Sequence, residues 1–197
     1  MLVPFMLLGK EARSGHISGW DAAIWRFLHE RDQATQGSVV DRAANVFLEK
    51  GDVVAPLLGV LILAILLGRR HTRDALFLVA TFSAVVIVTP LLKDEFAYTP
   101  NYAFPSGHAA RSATLAAAVI LIAWPTRYRW PTLAVGGLFT ATMGTALVYE
   151  DWHLPSDVLG GWCLGIACAG VMRGILARPQ SRAAALPPSL RPHDGPP

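Results

Sequence analysis

Five long stretches of this chain consist almost entirely of apolar residues, and they constrain its fold more than any other feature. The stretches are Val53–Leu67, Ala75–Leu92, Ala109–Trp124, Pro131–Tyr149 and Val158–Ala177. Each is apolar around the whole circumference of a helix, which is typical of a helix embedded in lipid. No segment alternates polar and apolar residues with a period of two, as membrane-spanning strands would. The fold class predicted is therefore all-α, a polytopic membrane helix bundle of five spans.

The composition agrees with a membrane protein and narrows the choice of partners. Hydrophobic residues make up 53% of the chain and charged residues only 16%, whereas soluble domains carry about a quarter charged residues. The mean hydropathy is +0.40. The net charge of +3 is too small to indicate nucleic acid binding, and the basic residues lie in short loops. We therefore expect no nucleic acid partner.

The region before the first span differs from the rest, because its apolar residues occupy one face of a predicted helix. That face carries Trp20, Ile24, Phe27 and Leu28, with Asp21, Arg26, Glu30 and Arg31 elsewhere. The pattern suits an N-terminal helix lying in the membrane interface. It equally suits an amphipathic helix packed on the bundle, and the sequence does not decide between them.

The chain accordingly divides into three predicted regions. Residues 1–50 form an N-terminal interfacial helical region, and residues 51–178 form the membrane domain. Residues 179–197 are rich in Pro, Ala and Arg, a composition that favours a disordered tail, which the charge pattern below puts in the cytoplasm. Within the last span, Gly161 and Gly165 have the spacing of a helix-packing pair.

Positive charge is distributed unevenly between the loops, and this predicts the orientation in the membrane. The loops on one side carry the arginines Arg69, Arg70, Arg73, Arg127, Arg129, Arg173, Arg178, Arg182 and Arg191. The loops after the second and fourth spans are mainly acidic, with Lys93 as their lone cation. Basic loops remain in the cytoplasm by the positive-inside rule. The acidic loops are therefore expected on the outer face of the cell membrane.

Both outward loops contain polar motifs that suit phosphate chemistry. The first ends in Pro105 to His108, and the second runs from His153 to Asp157. Ser106 can cap the helix that follows, and Gly107 lets the backbone approach a ligand closely. Free N–H groups at a helix N-terminus bind phosphate well. Two histidines beside such a site can act as nucleophile and general acid, while a carboxylate fixes the tautomer of one of them.

These loops resemble the type 2 phosphatidic acid phosphatase family, a group of membrane lipid phosphate phosphatases with a haloperoxidase-like fold. The family's middle motif, Pro-Ser-Gly-His, is matched in full by Pro105 to His108. In its last motif a histidine precedes an aspartate by four residues, as His153 precedes Asp157 here. The lysine that opens its first motif is matched by Lys93, which follows an apolar span. The resemblance extends over the order of spans from about residue 50 to residue 177.

The resemblance implies a role for each matched residue. His153 would be the nucleophile, Asp157 its orienting carboxylate and His108 the general acid. Lys93, Ser106 and Gly107 would hold phosphate oxygens. The family is metal-independent, so no cofactor is expected, and a zinc site would need a third ligand that the spacing does not provide.

Two departures from the family pattern concern the arginines that clamp phosphate. Pro100-Asn101 stand where the first motif has Arg-Pro, and Ala146-Leu147 stand where the last motif has Ser-Arg. Losing two bidentate donors should weaken phosphate binding. Arg111 is a candidate replacement, because it lies about one helical turn after His108. Its side chain could instead extend outward to the interface, and this alternative stays open.

Two classes of function therefore follow from the sequence. The first is an enzyme that removes phosphate from a lipid through a phosphohistidine intermediate, with prenyl diphosphates, phosphatidic acid and phosphatidylglycerol phosphate as candidate substrates. The second is a non-hydrolytic protein that binds or transports lipid phosphates. Lipid phosphate and membrane lipids are the expected partners, and a homo-oligomer is left open.

Overall fold

A computed structural model describes residues 2–13, 18–35, 37–96 and 104–176, and the predicted tail and Pro100-Asn101 lie outside these residues. The described part consists of helices joined by short turns, with no strand. The helices are α1 (Leu2–Arg13), α2 (Gly19–Thr35), α3 (Val39–Gly68), α4 (Thr72–Phe96), α5 (Gly107–Ala123), α6 (Arg129–Tyr149) and α7 (Pro155–Leu176). Helices α3 to α7 contain the described residues of the five apolar stretches apart from Trp124, which directly follows α5. The prediction of an all-helical fold is therefore confirmed.

Length and apolar composition show which of these helices could cross a membrane. Helices α4, α6 and α7 are long and apolar enough to cross a membrane. Helix α3 bends by 54° between Asp41–Lys50 and Val53–Gly68, and it adds a fourth candidate span if the bent pair is counted as one. Helix α5 has 17 residues, or about 26 Å at the usual rise, which is less than the hydrocarbon thickness of about 30 Å. Three or four of the five predicted spans are therefore supported.

Helix α5 lies at the centre of the bundle and contacts α3, α4, α6 and α7. Its first turns include small residues that are fully buried, among them Ala109 and Ala110. Helix α7 approaches it closely at two glycines. A Cβ atom on Gly161 would lie 2.6 Å from the Ser106 carbonyl oxygen, and one on Gly165 would lie 2.5 Å from the Ala110 carbonyl oxygen. The packing interpretation of this glycine pair is therefore confirmed.

The α3–α4 turn and the α5–α6 turn lie at the end of the bundle opposite the polar motifs. Arg127 stacks on the ring of Tyr128 and Arg129 on the ring of Trp130, at 5.0 and 5.5 Å. Both rings are exposed, as aromatic residues at a membrane interface are. This end therefore combines positive charge with exposed aromatic residues.

Helix α2 buries a different face from the one that the sequence suggests. It packs against α3, α6 and α7, with Asp21 only 2% exposed. Trp20, Ile24 and Phe27 of the predicted apolar face are exposed, and only Leu28 packs against the core. The helix therefore contacts the bundle through Asp21 and Leu28. The Asp21 carboxylate can be buried there because it accepts a hydrogen bond from a backbone N–H of α7. An interfacial location of its exposed apolar face stays a prediction.

Candidate active site

The two polar motifs meet at one end of the bundle. The Ser106 backbone N–H donates a 3.0 Å hydrogen bond to the Asp157 carbonyl oxygen, and both residues are fully buried. The ring of His108 lies edge-on to Trp152, with 5.7 Å between centroids, and Trp152 directly precedes His153. Helices α5 and α7 thus begin side by side, and the residues of both motifs surround their N-terminal ends.

Aromatic packing holds the start of the first motif. Phe104 is fully buried, and its ring centroid lies 5.2 Å from that of Phe5 and 5.7 Å from that of Phe96. Ser106 then occupies the N-cap position of α5, where its hydroxyl oxygen accepts a 3.4 Å hydrogen bond from the Ala109 N–H. The prediction that Ser106 caps this helix is confirmed.

Lys93 comes from the last turn of α4 and reaches the first residue of α5. A Cβ atom on Gly107 would lie 3.8 Å from the Lys93 ammonium nitrogen and 3.7 Å from a methyl group of Thr89. These are ordinary van der Waals distances, so packing within the protein does not itself demand glycine at position 107. The ammonium group lies beside the N-terminus of α5, where the helix dipole is positive, an arrangement that suits an anion.

The second motif begins where α6 ends, and it turns sharply into α7. The His153 N–H donates to the Leu147 carbonyl oxygen at 3.1 Å. One carboxylate oxygen of Asp157 lies 3.4 Å from His153 Nδ1 and also accepts a 3.2 Å hydrogen bond from the Leu154 N–H. His153 is 8% exposed. Because Asp157 faces Nδ1, it favours the tautomer whose other nitrogen, Nε2, carries a lone pair.

Two residues of α2 contact this motif and the turn before it, and no pattern in the sequence had assigned either of them to the site. The Asp21 carboxylate of α2 accepts a 2.8 Å hydrogen bond from the Ser156 N–H. The indole N–H of Trp25 donates to the Asp151 carboxylate at 2.6 Å. Both contacts join segments that are more than a hundred residues apart in the chain, so no local sequence signal reveals them.

The position at which the last family motif has an arginine lies in the apolar core and not among the polar residues of the site. Leu147 is fully buried in an apolar cluster that includes Leu48, Met143 and Val158. An apolar side chain thus fills the core where the family pattern has an arginine. Arg111 is half-buried in the second turn of α5, and its assignment to the phosphate stays a prediction.

The titratable side chains offer little to a metal ion. Among residues 2–13, 18–35, 37–96 and 104–176, no group of three or more His, Cys, Asp or Glu side chains is arranged to hold one. Cys163 and Cys168 are free thiols packed against an apolar cluster. The expectation that the protein works without a metal stays a prediction.

Comparison with known proteins gives a consistent assignment. A solved structure of similar fold is described as the first transmembrane PAP2 type phosphatidylglycerolphosphate phosphatase, from Bacillus subtilis. It matches with a TM-score of 0.70 and 18% sequence identity, over 88% of this chain and 94% of that one. Phosphatidylglycerophosphatase B of Bacillus subtilis (strain 168) is 25% identical over 120 residues, and the match covers 53% of this chain and 59% of that relative's length. The family model of the PAP2 superfamily matches residues 22–180, and this chain, an integral membrane protein with the matched motifs at one end of its bundle, therefore belongs to the PAP2 superfamily.

Proposed function

We propose that this protein is a membrane-embedded phosphatase that hydrolyses a lipid phosphate. The observation that carries the proposal is the contact between His153 and Asp157. This pair lies beside the N-terminus of α5, because the Ser106 N–H donates a hydrogen bond to the Asp157 carbonyl oxygen. A protein that only bound phosphate would not need a carboxylate that orients a histidine. Membership of the PAP2 superfamily supports the same reaction.

In the first step, Nε2 of His153 attacks the phosphorus atom while the bond from phosphorus to the lipid oxygen breaks. Asp157 keeps the proton on Nδ1 and stabilises the positive charge that develops on the imidazole. His108 donates a proton to the leaving lipid oxygen, so the lipid departs as an alcohol or, from a diphosphate, as a monophosphate. The product on the enzyme is a phosphoimidazole at His153.

In the second step, water attacks the phosphorus atom of the phosphoimidazole. His108, which lost its proton in the first step, now accepts one from the water molecule. The bond from phosphorus to Nε2 breaks, inorganic phosphate leaves, and both histidines return to their starting states. No metal ion is needed, because the imidazole supplies the nucleophile and Asp157 balances its charge.

Lys93, Ser106, Gly107 and Arg111 are proposed to hold the phosphate oxygens. The Lys93 ammonium lies beside Gly107, the first residue of α5, and this proximity supports the set. The positive end of that helix's dipole would further stabilise the charge that develops in the transition state. Arg111 would add the guanidinium that the family pattern places elsewhere.

Phosphatidylglycerol phosphate is the first substrate to test, because the similar curated relative and the similar solved structure are both named for it. Phosphatidic acid and prenyl diphosphates are the comparison substrates. All three present a phosphate head group at the interface and carry an apolar tail that fits between lipid-facing helices. A ranking of rates among them would identify the lipid class.

The decisive experiment is phosphate release from these three lipids by the purified protein in detergent or lipid vesicles. Rapid quenching with radiolabelled substrate is expected to trap label on His153. His153→Ala should remove both the label and at least about 10⁴-fold of the turnover, whereas His71→Ala, which alters an exposed histidine in the α3–α4 turn, should change neither. Full activity in His153→Ala would refute the assigned nucleophile.

A specific observation also favours the non-hydrolytic alternative. Leu147 occupies the core at a position where the family pattern has a clamping arginine, so one donor to the transition state is absent there. If the unmutated protein binds a lipid phosphate yet releases no phosphate from any of the three substrates, binding or transport is the better description.

The active site is proposed to face the outer side of the cell membrane. The basic loops and their exposed aromatic neighbours lie at the opposite end of the bundle, which supports this orientation. Single cysteines placed at Asp94 or Glu150, in a variant lacking Cys163 and Cys168, should react with an impermeant thiol reagent on intact cells. Cysteines at Arg70 or Arg127 should not, and the reverse pattern would put the site in the cytoplasm.

A further inference from the structure

A buried carboxylate of α2 caps the helix that carries the second motif. One oxygen of Asp21 accepts a hydrogen bond from the Ser156 N–H at 2.8 Å, and the other accepts one from the Ser18 hydroxyl at 3.0 Å. The residue is 2% exposed. A buried carboxylate is stable only when its oxygens are bonded, and here a backbone N–H of α7 is one of the two donors.

The need for this contact follows from the residue at the start of α7. Leu154 precedes Pro155, the first residue of the helix, and its carbonyl oxygen accepts from the Val158 N–H at 3.2 Å. It therefore occupies the N-cap position, where Ser, Thr, Asp or Asn usually accepts a hydrogen bond from the second or third N–H of the helix. A leucine side chain has no acceptor. Asp21 takes over this role from another helix, at the Ser156 N–H.

A second contact ties the other end of the same loop to α2. Trp25 lies one turn after Asp21 and donates to the carboxylate of Asp151, which has a φ angle of 58°. Leu28, one turn further, packs against the apolar cluster that contains Leu147. These three residues lie on one face of α2. Helix α2 therefore holds the loop from Asp151 to Ser156 at both ends, with His153 between them.

We propose that Asp21 is a positioning residue for the hydrolysis proposed above, on which this inference rests. Through the Ser156 N–H it holds the first turn of α7, and that turn carries Asp157. Asp157 in turn orients the imidazole of His153. Loss of Asp21 should let the turn shift, so that Nε2 of His153 no longer lines up with the phosphorus atom. Phosphate binding at α5 should persist, because among the described residues α2 packs against α3, α6 and α7 and not against α4 or α5, which carry Lys93 and Gly107.

The experiment compares two substitutions at Asp21 with a matched control. Asp21→Ala removes the acceptor, whereas Asp21→Asn keeps an oxygen that can accept from the Ser156 N–H. Asp41→Ala is the control, because Asp41 follows Ser38 with the same spacing at the start of α3 and accepts from the nearby Gly37 N–H. Its contacts stay within its own helix and the preceding turn.

Three measurements on the purified full-length protein separate positioning from simple support of the fold. Asp21→Ala is expected to lower kcat by about 10- to 100-fold, as small misplacements of reacting groups do, with little change in KM. The inhibition constant for inorganic phosphate should stay that of the parent. Hydrogen exchange in peptides covering residues 150–158 should become faster. Asp21→Asn should restore kcat and exchange protection, and Asp41→Ala should alter neither.

Three results would overturn the inference. The first is an Asp21→Ala protein with the kcat of the parent, and the second is one with unchanged exchange in residues 150–158. A fall in both kcat and folded fraction that Asp21→Asn does not restore would also refute it, in favour of a merely structural contact. The exchange measurement needs no activity. If the parent releases no phosphate, the proposed hydrolysis therefore fails, while exchange in residues 150–158 still decides whether Asp21 holds the loop.

Discussion

The two loops that form the candidate site are held in place by different forces. The first, residues 104–107, is fixed mainly by apolar packing, with the ring of Phe104 among those of Phe5 and Phe96 and against Gly160 of α7. One backbone hydrogen bond, from the Ser106 N–H to the Asp157 carbonyl oxygen, adds to it. The second, residues 150–157, is fixed by hydrogen bonds. Two of these bonds join the loop to α2, and another, from the Leu154 N–H to the Asp157 carboxylate, lies within the loop.

This difference matches the chemistry that each loop is proposed to perform. An apolar support positions the N-terminus of α5 without adding a negative charge that would repel phosphate. The nucleophile needs more than position, because its tautomer and ring orientation must also be set, and only polar contacts can do that. The two carboxylates, Asp21 and Asp157, therefore lie at the start of α7, while the Lys93 ammonium lies at the start of α5.

The largest effect is expected from breaking the polar support at Asp157. Asp157→Asn removes the negative charge that stabilises the imidazolium, and an amide N–H turned toward Nδ1 would favour the tautomer whose Nε2 carries the proton. We predict a fall in kcat of about 10²-fold or more, since the comparable change in an acyl-transfer triad costs about 10⁴-fold. Steady-state kinetics on the folded variant would measure it, with Asp94→Asn, an exposed carboxylate on the same side, as the control. Parental activity would make Asp157 a purely structural residue.

Arg111 tests whether the first loop makes up for the missing arginines. Arg111→Ala is predicted to raise KM and lower kcat, together by about 10- to 100-fold, as expected for a lost hydrogen bond to a charged group. Arg111→Lys should do less harm but still lose the bidentate grip. The control is Arg173→Ala at the opposite end of the bundle, where Arg173 approaches Asp74 at 3.9 Å. Unchanged kinetics in Arg111→Ala would show that its side chain extends outward. Leu147→Arg should not rescue the variant, because it would bury a charge in the core.

Breaking the apolar support should affect stability before chemistry. Gly161→Ala would put a methyl group 2.6 Å from the Ser106 carbonyl oxygen, and such overpacking costs about 1–3 kcal/mol in the free energy of unfolding. Gly170→Ala on the same helix has no neighbour within 4 Å and should be neutral. Thermal unfolding in one detergent would compare the two variants. Equal stability would mean that α5 and α7 separate at little cost.

Gly107→Ala should have the smallest effect, and it distinguishes ligand contact from packing. The new methyl group would meet only ordinary van der Waals contacts, so the free energy of unfolding should stay the same or rise by up to about 1 kcal/mol. Because the methyl group would stand beside the Lys93 ammonium, KM should rise, though less than in Arg111→Ala. Kinetics and thermal unfolding of the same preparation would test both halves. A loss of stability with unchanged KM would assign Gly107 to packing.

Some elements of this structure could be predicted because their signals are local. The apolar stretches predict their helices directly, since burial in lipid demands satisfied backbone hydrogen bonds along each one. The Ser106 cap and the packing of Gly161 and Gly165 also follow from short spacings within one helix. The buried face of α2 could not be predicted, because it depends on a hydrogen bond between Asp21 and a helix 135 residues away.

The sequence by itself determined the helical class, the two polar motifs, and the end of the bundle at which those motifs lie. Periodicity and composition act within one segment and therefore suffice for these features. Only the tertiary structure decided that Lys93 reaches the start of α5, that Leu147 belongs to the core, and that Asp21 caps α7. These features depend on which surfaces meet when the helices pack. Each such contact forms because burying the two surfaces together lowers the free energy, and this depends on both segments and not on either one alone.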